Sequence, residues 1–158
     1  MKLLLTISLS ILMSQAAAQK FPQIETQSLS GKQYTFPDQA EGKITLIVVA
    51  FKRQSQPVIN RWVDMWEKNV GQDPAFDFYE IPMLASGWKI MRGIIDSGMQ
   101  SGVPTSKHDK TTTYYGPLDK YYKALNIDNR SIPYFFLLDR SGQIRWFDSG
   151  KLNDEKAK

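Results

Sequence analysis

Ser131-Ile132-Pro133-Tyr134-Phe135-Phe136-Leu137-Leu138-Asp139-Arg140-Ser141-Gly142-Gln143-Ile144-Arg145-Trp146 is the stretch whose reading decides the fold. A proline cannot donate to a sheet ladder, so Pro133 fits the first residue of a strand and not its interior. The five residues after it are aromatic or aliphatic without alternation, the pattern of a strand buried on both faces. Asp139 to Gly142 supplies turn chemistry. Gln143 to Phe147 then alternates, as a strand nearer a sheet edge does. Arg145 and Trp146 fall on opposite faces, which predicts Trp146 in the core and Arg145 in solvent.

A strand buried on both faces needs neighbours of the same kind. Ile44-Thr45-Leu46-Ile47-Val48-Val49-Ala50-Phe51 is one, a continuous β-branched and aliphatic run. The polar loop Lys52 to Gln56 follows, and Pro57 suits the first turn of a helix. Ile59, Trp62, Val63, Trp66 and Val70 share one helical face, and Gly71 suits a stop. Upstream, Gln27 to Phe36 reads as a hairpin around Ser30-Gly31. Downstream, Phe76 to Ile81 reads as a strand. Leu84, Trp88, Met91, Ile95 and Met99 recur at helical spacing, predicting a helix within Leu84–Gln100 interrupted at Gly87 or Gly93. Thr111 to Tyr115 is a further strand, and Pro117 opens a helix with Leu118, Tyr121, Tyr122 and Leu125 on its face. The stripes of Trp62, Met65 and Trp66, and of Trp88 and Met91, read as core. The order is a hairpin followed by β-α-β-α-β-α-β-β, an α/β sandwich about a mixed sheet. After it only Lys151 to Lys158 remain, so a last helix is short or absent.

The chain has 158 residues, a formal charge of +4 and no cysteine. Met1-Lys2, an apolar run from Leu3 to Met13 and Ala16-Ala17-Ala18 together describe a secretory signal peptide over 1–18. The apolar run is shorter than the roughly 20 residues that span a bilayer. The expected organisation is therefore a signal peptide, then one domain over 19–158, exported to the periplasm or beyond after cleavage near Ala18. No transmembrane segment is expected in the mature chain. Its charge of about +3 is spread without basic runs, which argues against nucleic acid. Without a thiol, neither a disulfide nor a thiolate nucleophile is available. No nucleotide-binding glycine pattern, serine-nucleophile elbow or calcium loop is present. One histidine without a second His or a Cys gives no metal-ligand spacing, and no cofactor is implied.

The Pro133 hairpin resembles the closing hairpin of thioredoxin-like proteins. That resemblance implies a three-layer α/β sandwich, a cis-Pro133, and an active-site loop at the start of the Pro57 helix. The two cysteines of that loop would fall at about Gln56 and Ile59. Thiol-disulfide exchange is therefore excluded. A second resemblance spans nearly the whole mature chain. Phe51-x-Arg53-x-Ser55, Tyr79-Glu80-Ile81, Met91-Arg92-Gly93, Gly102-Val103-Pro104, His108 with Thr112 to Gly116, Phe136-Leu137-Leu138-Asp139 and Ile144-Arg145-Trp146 stand in that order. Together they resemble the mitochondrial ATP synthase assembly factors, the "ATPase ten" family, and their bacterial relatives. Members of that family in mitochondria help a hydrophobic membrane subunit of the rotor-stator channel assemble. The resemblance implies a chaperone-like module for a protein or extended peptide, with a membrane-protein subunit as one such partner.

The candidate binding residues are Arg53, Gln54, Ser55 and Gln56 in the loop, with Ile132 and Pro133 beside it. Arg53 and Ser55 precede a helix N-terminus, where a carboxylate or phosphate could be held. The plainer reading is that Ser55 caps the helix and Arg53 is solvated. Ile132 could pair its backbone with an extended peptide. An alternative function is an enzyme of unfamiliar type, using His108 or a carboxylate near the Pro133 loop. It requires a cleft holding a titratable group with a shifted pKa. His108, in Lys107-His108-Asp109-Lys110, otherwise reads as a solvated loop residue.

Overall fold

The computed structural model describes residues 19–153 and 155. The expected signal peptide, 1–18, lies outside the described residues. β1 (Ile24–Ser28) and β2 (Gln33–Phe36) form the N-terminal hairpin. β3 (Ile44–Ala50) leads through a 3-10 turn at Arg53–Ser55 into α1 (Gln56–Val70). β4 (Phe76–Ala85) is followed by a 3-10 turn at Ser86–Met91 and α2 (Arg92–Gly102). β5 (Thr112–Gly116), α3 (Asp119–Ala124), β6 (Tyr134–Leu138) and β7 (Ile144–Ser149) complete the chain.

The seven strands form one mixed sheet in the order β2-β1-β5-β4-β3-β6-β7. β3 and β4 are parallel with Ile47 opposite Tyr79, and β4 and β5 are parallel with Met83 opposite Tyr114. β3 and β6 are antiparallel, with Ile47 opposite Phe136. The two long apolar runs thus lie side by side at the sheet's centre, as their patterns require. Successive side chains alternate between two cores. Val48, Phe78 and Phe135 meet Ile59, Trp62 and Val63 of α1 on one face. Ile47, Tyr79 and Phe136 meet Phe21, Tyr121 and Leu125 on the other. This is the expected three-layer sandwich, with α1 and α3 covering opposite faces.

Local chemistry sets the turns. Asp139 Oδ1 accepts hydrogen bonds from the backbone N–H of Ser141 and of Gln143, at 2.9 and 3.1 Å, closing the β6–β7 turn. The Ser141 hydroxyl bond, and then Arg145, hold the Asp139 carboxyl well below the usual carboxylate range. Gly142 sits there at φ +76°, and a Cβ would lie 2.7 Å from the Pro37 Cβ. Only glycine satisfies both conditions.

Three expectations are corrected. The Ile132–Pro133 bond is trans, the intrinsically favoured form; the cis bond among the described residues is Phe36–Pro37. The Pro133 carbonyl instead accepts the Gly150 N–H at 3.0 Å, which closes the end of the β6–β7 ladder. Trp146 is 39 % exposed, not core. It leans on Trp62 at 5.7 Å between centroids, but β7 is an edge strand and no described helix follows to cover it. Trp88 and Met91 are 55 % and 41 % exposed, also not core. β4 runs to Ala85, because Leu84 and Ala85 pair with Tyr115 and Gly116 of β5. The predicted helix is thereby shortened to a 3-10 turn and then α2, which begins at Arg92, and no α2 residue is buried.

Candidate functional site

An open cleft of about 1910 Å³ lies at the carboxyl ends of β3 and β4. In open α/β sheets ligands gather at that end of the strands, where loops and helix N-termini converge. Val48, Ala50, Glu80 and Pro82 contribute to its floor, and Gln56, Ile59 and Asn60 of α1 to one wall. The opposite wall carries Trp88 and, from α2, Ile94, Ile95 and Met99.

The sequence of α2 explains this wall. Arg92, Asp96 and Gln100 recur every four residues and tie the helix to the β1–β5 side by polar contacts. Arg92 donates to Gln27 Oε1, pairs with Asp96 at 3.2 Å and lies 5.3 Å from the Tyr115 ring centroid. Tyr115 donates to Asp96 at 2.8 Å, and Gln100 to the Leu29 carbonyl at 2.6 Å. Burial, and then Asp96, push the Tyr115 phenol far up, so it stays a donor. With that stripe committed, the apolar stripe of Ile95 and Met99, with Trp88 ahead of it, is left facing the cleft. The helical period was legible; its destination was set by contacts distant in sequence.

Of the candidate residues, Arg53, Gln54 and Gln56 line the cleft, whereas Ser55, Ile132 and Pro133 do not. Ser55 is the residue before α1 and is 2 % exposed, yet its hydroxyl caps nothing and has no hydrogen-bond partner among the described residues. Its backbone is already αR at that point, which takes the hydroxyl away from the first-turn N–H groups. Lys52 donates to the Ser131 hydroxyl at 3.1 Å and joins this loop to the one before β6. That second loop reaches the cleft through residues 128–131. It is held by Tyr134, whose hydroxyl donates to Asp128 at 2.7 Å and accepts from the Asn129 N–H at 2.9 Å. Ile132 packs on the core beneath. His108 lies outside the cleft, its Nε2 bonded to the Val103 carbonyl at 2.9 Å. No cluster of metal-ligating side chains occurs among the described residues.

Glu80 was missed by sequence reasoning, which took Tyr79-Glu80-Ile81 as strand and family motif only. A charge in the middle of an apolar strand was the available signal. Glu80 is 8 % exposed and follows Phe78 on the α1 side of the sheet. Its Oε2 accepts from Gln56 Nε2 at 3.2 Å. Burial pushes its carboxyl above the ordinary value of 4.5, against the smaller effects of Gln56 and Lys107. Glu80 is thus a titratable cleft group with a shifted pKa. Its side-chain partner is an amide, with no imidazole, hydroxyl or second carboxyl bonded to it among the described residues.

The raised pKa has a consequence for stability. The folded chain keeps a proton that the unfolded chain releases, so folding loses stability as pH rises from about 4.5 through the folded value. Glu80→Gln removes that loss. Its melting temperature should exceed the wild type's at pH 7, and the difference should shrink toward pH 4. An equal or lower value at pH 7 would show that the carboxylate is compensated in the fold.

A model of the ATP10 protein family matches residues 5–158. No curated protein matches. Among solved structures, a thiol:disulfide interchange protein of the thioredoxin family from Chlorobium tepidum is 16% identical, with a TM-score of 0.56, covering 90% of this chain and 93% of that one. A thiol-disulfide oxidoreductase from Bacteroides fragilis is 14% identical, with a TM-score of 0.59, covering 87% and 93%. BsSco, of the Sco family of cytochrome c oxidase assembly proteins, is 14% identical, with a TM-score of 0.59, covering 87% and 86%. At such identities the likeness is one of fold, and the fold is thioredoxin-like. This chain carries no cysteine at Gln56, Ile59 or elsewhere.

Proposed function

The chain belongs to the ATP10 protein family, and we propose that it is a non-catalytic, exported assembly factor whose cleft holds an apolar segment of a membrane-protein subunit. The observation that carries this is the unburied apolar face of α2, turned into an open space at the carboxyl ends of the parallel strands. Small-molecule pockets are about 300–1,000 Å³, and this cleft, at about 1910 Å³, is larger. Exposed apolar patches of this kind mark interaction surfaces. Family membership and the absence of thiols support holding over redox chemistry. Export rests on the signal-like 1–18 segment, and the described helices include none long and apolar enough to cross a membrane.

A photo-crosslinking residue in place of Trp88 tests the reading, with Lys68, on the exposed side of α1, as control. Envelope membranes should yield one discrete crosslinked membrane protein from position 88 and not from position 68. Identical products at both positions, or a soluble protein alone, would refute it.

A further inference from the structure

The cleft sets the apolar wall of Trp88, Ile94, Ile95 and Met99 against polar side chains from the loops before α1 and β6. Glu80 is the buried carboxyl on its floor, and it is incompletely paired. Gln56 Nε2 is the hydrogen-bond donor to it among the described residues. The nearby cation is engaged elsewhere: Lys107 Nζ is 2.8 Å from Glu67 and 5.8 Å from the Phe78 ring centroid. Asn60 is turned to Gln56, its Oδ1 accepting from the same amide nitrogen at 2.9 Å. The backbone of Glu80 is used by the sheet, its N–H donating to the Lys110 carbonyl at 2.8 Å. A buried carboxylate left this way costs folding free energy that a pure docking face would not need.

We propose that Glu80 selects the occupant: the cleft takes an apolar polypeptide segment bearing one lysine or arginine, whose cation pairs with the Glu80 carboxylate. The selection rests on the cleft being a polypeptide site, as proposed for its function. The wall of Trp88, Ile94, Ile95 and Met99 excludes water on its side once a segment is seated, and a charge-assisted hydrogen bond there is stronger than one at the surface. The arriving cation supplies the partner that the fold withholds and draws the carboxyl to its ionised form. A wholly apolar segment leaves the carboxyl without a partner and is disfavoured, which is discrimination by an unsatisfied group.

The test uses the full chain and two labelled 16-residue Leu-Ala peptides with Gly-Ser tails, one with a central arginine and one with norleucine there. Fluorescence anisotropy should show the arginine peptide bound about tenfold tighter by the wild type. Glu80→Gln should bind both alike, near the wild type's affinity for norleucine. Glu80→Leu should reverse the order, which separates lost recognition from lost folding. Equal binding of both peptides by the wild type, or a preference that survives in Glu80→Gln, overturns the selection by Glu80 alone. Binding of neither peptide overturns it together with the cleft reading.

Discussion

Phe135→Ala is expected to lower the unfolding free energy by about 3–5 kcal/mol, at the upper end of what one core truncation costs. Phe135 is 0 % exposed and lies opposite Val48 in the central β3–β6 pair. Its ring stacks on Trp62 of α1 at 4.5 Å between centroids. Truncation opens a cavity between sheet and helix that the indole, itself bonded to the Gly150 carbonyl at 3.0 Å, is not free to fill. With no cysteine there is no disulfide to limit the loss. Urea denaturation measures it, and the melting temperature should fall by more than about 10 °C. A change below about 1 kcal/mol would mean that α1 is held to the sheet by something other than this stack.

Trp88→Asp with Ile94→Asp should have the opposite profile. Trp88 and Ile94 are 55 % and 70 % exposed and both line the cleft. Surface replacements away from the core usually change stability by about 0.5 kcal/mol or less. Binding should suffer far more, because a seated segment would bury both side chains and would now desolvate two carboxylates. Loss of a tryptophan anchor alone commonly costs about 2 kcal/mol or more, so affinity for the arginine peptide should drop by about 100-fold or more. Retained affinity with retained fold would place the binding surface elsewhere. Parallel loss of stability would show that these residues support the fold instead.

The two variants divide along the line between what could be read and what could not. β3 and β6 were legible because a strand buried on both faces must be apolar throughout, whatever lies beside it. The hairpin and α1 were legible for the same local reason: turn residues and a helical stripe report their own geometry. The loop of Arg53, Gln54 and Gln56 was placed at the cleft by the position it holds in the fold. The trans Ile132–Pro133 bond, the uncapped Ser55 and the exposure of Trp146 were not legible, since each depends on what packs against it.

Composition and pattern alone determined the layered α/β architecture, the central apolar strands and the exclusion of thiol chemistry, because these follow from residue chemistry and periods of two and near four. Tertiary structure decided which side of the helix before Val103 meets the protein and which meets open space. Arg92, Asp96 and Gln100 find their partners at Gln27, Tyr115 and Leu29, and so leave Ile95 and Met99 lining the cleft. A hydrophobic stripe is a property of one helix, but its burial is a property of the helix and its neighbour together.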